Sequence, residues 1–281
     1  MIIDNLINKG NEILKEEGIL SYRIDSELLL SEIIKKDRAF ILTNGDHIVS
    51  FKEAKDYLKI ISRRRKREPL AYITKTKEFW SLDYNVNNDV LIPRPESEII
   101  VDQVIKKFKY KNNTNILDIG TGSGCILLSI IKELKTSSGV GIDKSLEAVN
   151  IASRNSKILN LMGRTKFINC DVDNFDFGNY DVIVSNPPYV CTHRMRYLSK
   201  DIRDFEPRMA LDGGNSGLEI INKVIIKAKK LLKTNGCLFI EIGNDQQQKV
   251  SSLLLNKGFK LVEKFLDYSK IVRCIMSTKT I

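Results

Sequence analysis

The chain reads as an α/β protein: a mostly parallel sheet with an antiparallel last strand, preceded by a small N-terminal helical bundle and a bridging β-hairpin. Three observations carry that reading. From about residue 95, short Val/Ile-rich runs alternate with helical segments, the pattern of a parallel sheet with helices on both faces. The last two runs are separated only by Leu266-Asp267-Tyr268-Ser269-Lys270, too short for a crossover helix, so they must pair antiparallel. Before residue 75 the apolar residues recur at helical spacing, with no glycine-rich loop and no clustered carboxylates.

The elements follow in order. Ile3, Leu6, Ile7, Ile13 and Leu14 mark a first helix, and Ser26 to Ile34 a second with Leu28-Leu29-Leu30 at its centre. Asn44-Gly45-Asp46 supplies a turn. Ser50, with Glu53 three residues on, forms a capping box for a third long helix running to about Arg67. The run Arg63-Arg64-Arg65-Lys66-Arg67 closes it, either as cations facing the helix C-terminal dipole or as a contact for phosphate or an acidic protein surface. Thr76 to Val86 alternates aromatic and polar residues around a Ser81-Leu82-Asp83 turn, a hairpin. Strands are expected at Ile116–Ile119, Val140–Asp143, Lys166–Asn169, Asp181–Ser185, Cys237–Ile242, Lys260–Phe265 and Ile271–Ser277, with a helix between each pair of the first six. The expected domains are a bundle over 1–74, a hairpin linker over 75–94 and the sheet domain over 95–281.

Composition narrows the chemistry. There are 281 residues, a net charge of +10, five scattered cysteines without a C-x-x-C pair, and only two histidines. A histidine triad is excluded, no metal is expected, and the thiols fit a reducing, cytoplasmic compartment. No apolar stretch approaches a membrane span and no secretory leader is expected. The basic balance fits an acidic or nucleic-acid partner, or merely general composition.

Asn115 to Gly124 is a strand running into a glycine-rich turn and then a helix, an arrangement that lets backbone approach a ligand. It is not the dinucleotide fingerprint, because Cys125 stands where a third-position glycine is required. The spacing is Gly120-Thr121-Gly122-Ser123-Gly124 with Asp118 just before it, and an acid there repels pyrophosphate but attracts an ammonium or sulfonium. Asp143 ends the second strand, where a carboxylate accepts ribose hydroxyls, and Asp171 follows the third, in position for an adenine amino group. Three acids at successive strand ends beside a glycine loop indicate an adenosine-containing, cationic cofactor, and S-adenosyl-L-methionine fits. The fourth strand end emits Asn186-Pro187-Pro188-Tyr189: one carboxamide, two residues without N–H and one ring. Such a turn is rich in acceptors and suits gripping a planar NH2 group.

These motifs, with Arg67 to Ile73, Glu78-Phe79-Trp80, Leu91 to Glu98, Asp204 to Pro207 and Ala210 to Gly214, resemble the release-factor glutamine methyltransferases over nearly the whole chain. The resemblance implies a class I (Rossmann-like) methyltransferase sheet and methylation of the glutamine in the Gly-Gly-Gln loop of peptide chain release factors, recognised through the helical domain. It implies that the Asn186 side-chain carbonyl and the Pro187 backbone carbonyl accept the amide hydrogens, with Pro188 beside them and Tyr189 on the amide plane. Ser123 stands where the family often has threonine, and Val172 where an aromatic often meets adenine. Arg94 and Glu96 form either a rim near the target loop, with Glu98 behind it, or a helix N-terminus. Glu241 reads as structural, and a monomer is expected. Two rivals remain: a DNA or RNA exocyclic amino-methyltransferase, against which stands the absence of a base-stacking aromatic array, and a non-enzymatic adenosine-binding module.

Overall fold

The computed structural model describes residues 1–279; the last two positions of the domain expected over 95–281 lie outside the described residues. Two compact units result. One comprises Met1–Lys75 with Ser199–Phe205; the other begins at Thr76, breaks at Leu198 and resumes at Glu206.

In the first unit, helices α1 (Ile3–Glu16), α2 (Tyr22–Ile34), α3 (Arg38–Thr43), α4 (Phe51–Arg65) and α5 (Leu70–Thr74) close on a core that includes Leu6, Leu14, Leu29, Leu30, Tyr57 and Ile61. The capping box at α4 is present: the Ser50 hydroxyl accepts from Glu53 N–H, and the Glu53 carboxylate accepts from Ser50 N–H at 3.0 Å. Such a cap stabilises a helix by about 1 kcal/mol. α4 stops at Arg65, and Arg67 is left-handed with φ 73°.

The second unit opens with a hairpin of β1 (Thr76–Phe79) and β2 (Leu82–Asn85), then α6 (Glu98–Phe108). The main sheet alternates β3 (Asn115–Ile119), α7 (Cys125–Glu133), β4 (Ser138–Asp143), α8 (Leu146–Ile158), β5 (Thr165–Asn169) and β6 (Tyr180–Ser185). After α9 (Lys200–Arg203), a single turn that belongs to the first unit, come α10 (Glu219–Leu231), β7 (Leu232–Glu241), α11 (Gln247–Asn256), β8 (Phe259–Leu266) and β9 (Val272–Lys279). The strand order is β5-β4-β3-β6-β7-β9-β8, parallel except that β9 runs antiparallel to β7 and β8. Strand alternation sends Ile116, Val182, Val184 and Phe239 into a core with α6 and α7, and Leu117, Ile183, Leu238 and Ile240 into one with α10 and α11.

Two expectations are corrected. No α-helix lies between β5 and β6, only a 3-10 turn at Val172–Asn174. The connection 170–179 must pass β4 and β3, about 14 Å sideways, and return along the strands. Extended chain at about 3.3 Å per residue covers that path, whereas helix at about 1.5 Å does not. The hairpin turns at Trp80-Ser81, both left-handed (φ 54° and 53°), rather than at Ser81-Leu82-Asp83. The Glu98 carboxylate holds that turn by accepting from Trp80 N–H at 2.8 Å, and neither residue type announces positive φ.

The arginine run, open to two readings from sequence, places Arg63, Arg64 and Arg65 in the last turn of α4, and its guanidinium groups are all engaged within the first unit. Arg63 pairs with Glu68, Arg65 with Glu17 at 2.9 Å, and Arg67 donates to the Glu17 carbonyl. Arg64 is buried, with Nε on Asp25 at 2.7 Å and Nη1 on Asp201 at 2.8 Å. Arg64 is an internal clasp, whereas Arg65 and Lys66 remain exposed.

Candidate active site

The carboxyl ends of β3, β4 and β6 meet where the strand order reverses, the place where open α/β sheets bind ligands. A cavity of about 670 Å³ lies there, within the second unit. Gly120, Thr121, Gly122, Ser123, Asp143, Asp171, Val172, Asn186, Pro187, Pro188 and Arg94 line it.

The glycine loop is strapped to the neighbouring strand: the N–H groups of Gly120 and Thr121 both donate to the Ile142 carbonyl, at 2.9 and 3.0 Å. Gly120 and Gly122 take positive φ, and a Cβ built on either meets nothing within 4 Å, so the backbone there faces open space. Gly124 is different. Its Cβ would stand 3.1 Å from both Ala152 and Leu128, so this glycine serves the packing of α7 on α8.

The acids have distinct fates. Asp143 accepts from Gly122 N–H and Ser145 N–H, each at 2.9 Å, while burial pushes its carboxyl above the usual range. Each oxygen keeps a further lone pair for a ligand hydroxyl. Asp171 is held below the usual range, first by the backbone N–H of Asp173 and also by Lys144 at 3.3 Å. Asp118, expected to face the cofactor, is only 1% exposed and does not line the cavity. It shares the α7 side of β3 with Ile116 and accepts from Thr121 Oγ1 at 2.7 Å. Burial raises its pKa to about 7.

Asn186 ends β6. Its Nδ2 donates to Ser97 Oγ at 2.9 Å, and Ser97 Oγ donates to Glu241 Oε2 at 2.6 Å. The carboxamide oxygen is left as the acceptor at the cavity wall, with no partner among the described residues. Tyr189, expected to cover a substrate amide, does not line the cavity. Its ring packs on the core beside α10 and α11, and burial pushes its hydroxyl pKa upward.

The motif's backbone is enclosed. Val190 N–H donates to the Leu211 carbonyl at 3.0 Å and Gly213 N–H to the Val190 carbonyl at 2.8 Å. A Cβ on Gly213 would stand 2.7 Å from the Pro188 carbonyl oxygen, so the Ala210 to Gly214 stretch is the wall against which the Pro-Pro turn is cast. Gln246 adds a donor to the Tyr189 carbonyl at 3.0 Å. Arg94 lines the cavity while pairing with Glu206, whose other oxygen takes Ile92 N–H at 3.4 Å. Glu96 is exposed and away from the cavity. Ser97 and Glu206 lie inside the Leu91 to Glu98 and Asp204 to Pro207 motifs but have no role assigned from sequence, Gln246 lies in none of the motifs, and Glu241 reads as structural. Glu241 was within reach of the same logic, since it closes the next parallel strand beside Asn186.

A glycine loop, acids at strand ends and an Asn-Pro-Pro-Tyr turn on this sheet define the methyltransferase class. Residues 110–273 match the family described as a methyltransferase domain. A methyltransferase structure from Pyrococcus furiosus superposes with a TM-score of 0.56 at 20% identity, covering 78% of this chain and all (100%) of that one. Residues 5–74 match the PrmC N-terminal domain. The release factor glutamine methyltransferase of Clostridium acetobutylicum is 36% identical over 99% of both chains. That of Caulobacter vibrioides is 36% identical over 95% of this chain and 92% of its own. The chain belongs to the release factor glutamine methyltransferase family.

Proposed function

We propose that this enzyme transfers a methyl group from S-adenosyl-L-methionine to the side-chain amide nitrogen of the glutamine in the Gly-Gly-Gln motif of peptide chain release factors, acting as a monomer in the cytoplasm on the proteins of translation termination. The observation that carries it is the Asn186 carboxamide, tied through its NH2 group to Ser97 so that its oxygen is presented as an acceptor beside the glycine loop. The full-length kinship supports a protein acceptor over a base.

The residues present fit the cofactor: open space in front of Gly120 and Gly122, an adjoining carboxylate at Asp143, and a cavity of about 670 Å³. Gly120 to Ser123 would take its amino-acid end, Asp143 its ribose, and Asp171 with Val172 its adenine. When bound, it supplies an electrophilic methyl group on a sulfonium. The chain's own part is orientation. An amide nitrogen is a weak nucleophile because its lone pair is delocalised into the carbonyl. Acceptors at Asn186 Oδ1 and the Pro187 carbonyl fix both N–H bonds of the substrate amide and so aim its nitrogen. Holding reactants in the attacking geometry replaces a strong base. Tyr189 serves by anchoring the turn.

The test is incubation with methyl-labelled S-adenosyl-L-methionine and, separately, release factor, DNA and RNA, with Asn186→Ala in parallel. Label on the release-factor glutamine is expected, and Asn186→Ala binds cofactor normally but turns over about 10²-fold slower. Label confined to nucleic acid, or unchanged turnover by the variant, overturns the reading.

A further inference from the structure

We infer that Ser97 and Glu241 are positioning residues that set which edge of the Asn186 carboxamide meets the substrate. The inference rests on the acceptor role given to Asn186 above.

A carboxamide has two faces of nearly equal shape and opposite hydrogen-bonding sense, so rotating Asn186 by half a turn would present NH2 where the oxygen should be. Two donors would then oppose the two donors of the substrate amide. Something must bias the rotation; two prolines follow Asn186, and the Ser185 hydroxyl before it is already spent on the Ile119 carbonyl at 2.7 Å. The bias comes from two distant segments. Ser97 stands at the start of α6 and Glu241 at the end of β7, each 2% exposed. An ionised carboxylate only accepts, so it takes the single proton of Ser97 at 2.6 Å. Ser97 then has only lone pairs to offer, and Asn186 must turn its NH2 toward it, at 2.9 Å. The chain of polarity runs one way, from carboxylate through hydroxyl to amide.

The burial of Glu241 is otherwise hard to account for. A carboxylate taken out of water is costly, and an apolar residue at this strand end would fill the space more cheaply. Titratable groups surround it from each packed element: Arg94 and Glu96 before α6, Cys125 on α7, Tyr189 in the motif, and Arg273 and Cys274 on β9. Burial outweighs the two arginines and holds the Glu241 pKa at about 7. Protonated Glu241 can donate to Ser97, whose own proton is then free to draw the Asn186 oxygen the wrong way. Correct orientation therefore weakens as pH falls through that value.

The experiment measures steady-state methyl transfer to release factor by the full chain between pH 6 and 9, with calorimetric cofactor binding, for wild type, Ser97→Ala, Ser97→Thr and Glu241→Gln. Ser97→Ala is expected to lower kcat by about 10- to 100-fold, leaving KM and cofactor affinity within about twofold. Ser97→Thr, which keeps the hydroxyl, recovers most of that loss. Wild-type kcat falls on the acid side of pH 7. Glu241→Gln, able to present either sense to Ser97, loses about 2- to 10-fold at pH 8 and flattens that acid limb. Wild-type kcat in both Ser97→Ala and Glu241→Gln, an acid limb kept by Glu241→Gln, or losses confined to KM or cofactor affinity would overturn the inference. If wild type methylates nucleic acid instead, the substrate reading alone fails, and the same variants are compared on that acceptor.

Discussion

Alanine at two neighbouring glycines of the cofactor loop should separate ligand space from protein packing. Gly122 has φ 54° and Gly124 has φ 80°. Each alanine therefore carries a left-handed strain of roughly 1–2 kcal/mol. For Gly122→Ala that is the whole structural cost, because the new methyl meets no protein atom within 4 Å and the N–H to Asp143 remains. For Gly124→Ala the methyl presses on Ala152 and Leu128 at 3.1 Å, adding an overpacking cost of roughly 1–3 kcal/mol. Urea denaturation should thus rank Gly124→Ala below Gly122→Ala, with total losses of about 2–5 and 1–2 kcal/mol. Calorimetry with S-adenosyl-L-methionine should give the reverse order. Gly122→Ala, whose methyl stands in the cavity, loses at least about tenfold in affinity, or 1.4 kcal/mol, and Gly124→Ala stays nearer wild type. Wild-type affinity in Gly122→Ala, or equal stability of the two variants, would refute the division of labour.

Asp143→Ala should weaken cofactor affinity by about 10- to 100-fold, since it removes a charged acceptor and frees two loop N–H groups; unaltered calorimetric affinity would remove Asp143 from the site. Glu241, raised from 4.5 to about 7, binds its proton more tightly folded than unfolded, so its contribution to stability falls as pH rises through that window. Glu241→Gln should therefore gain roughly 3 kcal/mol relative to wild type between pH 4 and pH 8, and a pH-independent difference in urea denaturation would contradict the assignment. Arg64→Met strands the buried carboxylate of Asp25 and should destabilise the helical unit by about 3–5 kcal/mol. Joint replacement with Asp25→Leu should recover most of this by circular dichroism, and an equally large loss in the double variant would point to packing instead.

The strands were readable because each carries its own evidence. Asp181 to Ser185 is buried on both faces and could be little else, and the short link before residue 271 dictated the antiparallel end. The missing helix between β5 and β6 was not readable, because its absence follows from how many strands the chain must pass, a property of sheet order. The Trp80-Ser81 turn gave no sign because a side-chain acceptor 18 positions away holds it. At the site, the glycine loop and Asn186 stand in contiguous motifs. The residues that orient Asn186 lie 89 positions away and, from there, a further 144, and no local pattern ties serine to glutamate over such gaps. Asp118 misled for a related reason. A strand end has two sides, and its carboxylate took the one facing α7 rather than the cavity.

The short return of Ser199–Phe205 to the helical unit bears on how this protein can be dissected. Asp201 supplies one of the two carboxylates on Arg64, so the polypeptide that ends at Lys75 encodes five helices but not the full set of counter-ions they fold around. A gene fragment cut there would yield an N-terminal piece in which the Arg64 guanidinium keeps Asp25 but lacks the carboxylate on its Nη1 edge. A fusion or domain transplant that keeps the bundle working has to carry those seven residues from the distant part of the chain with it.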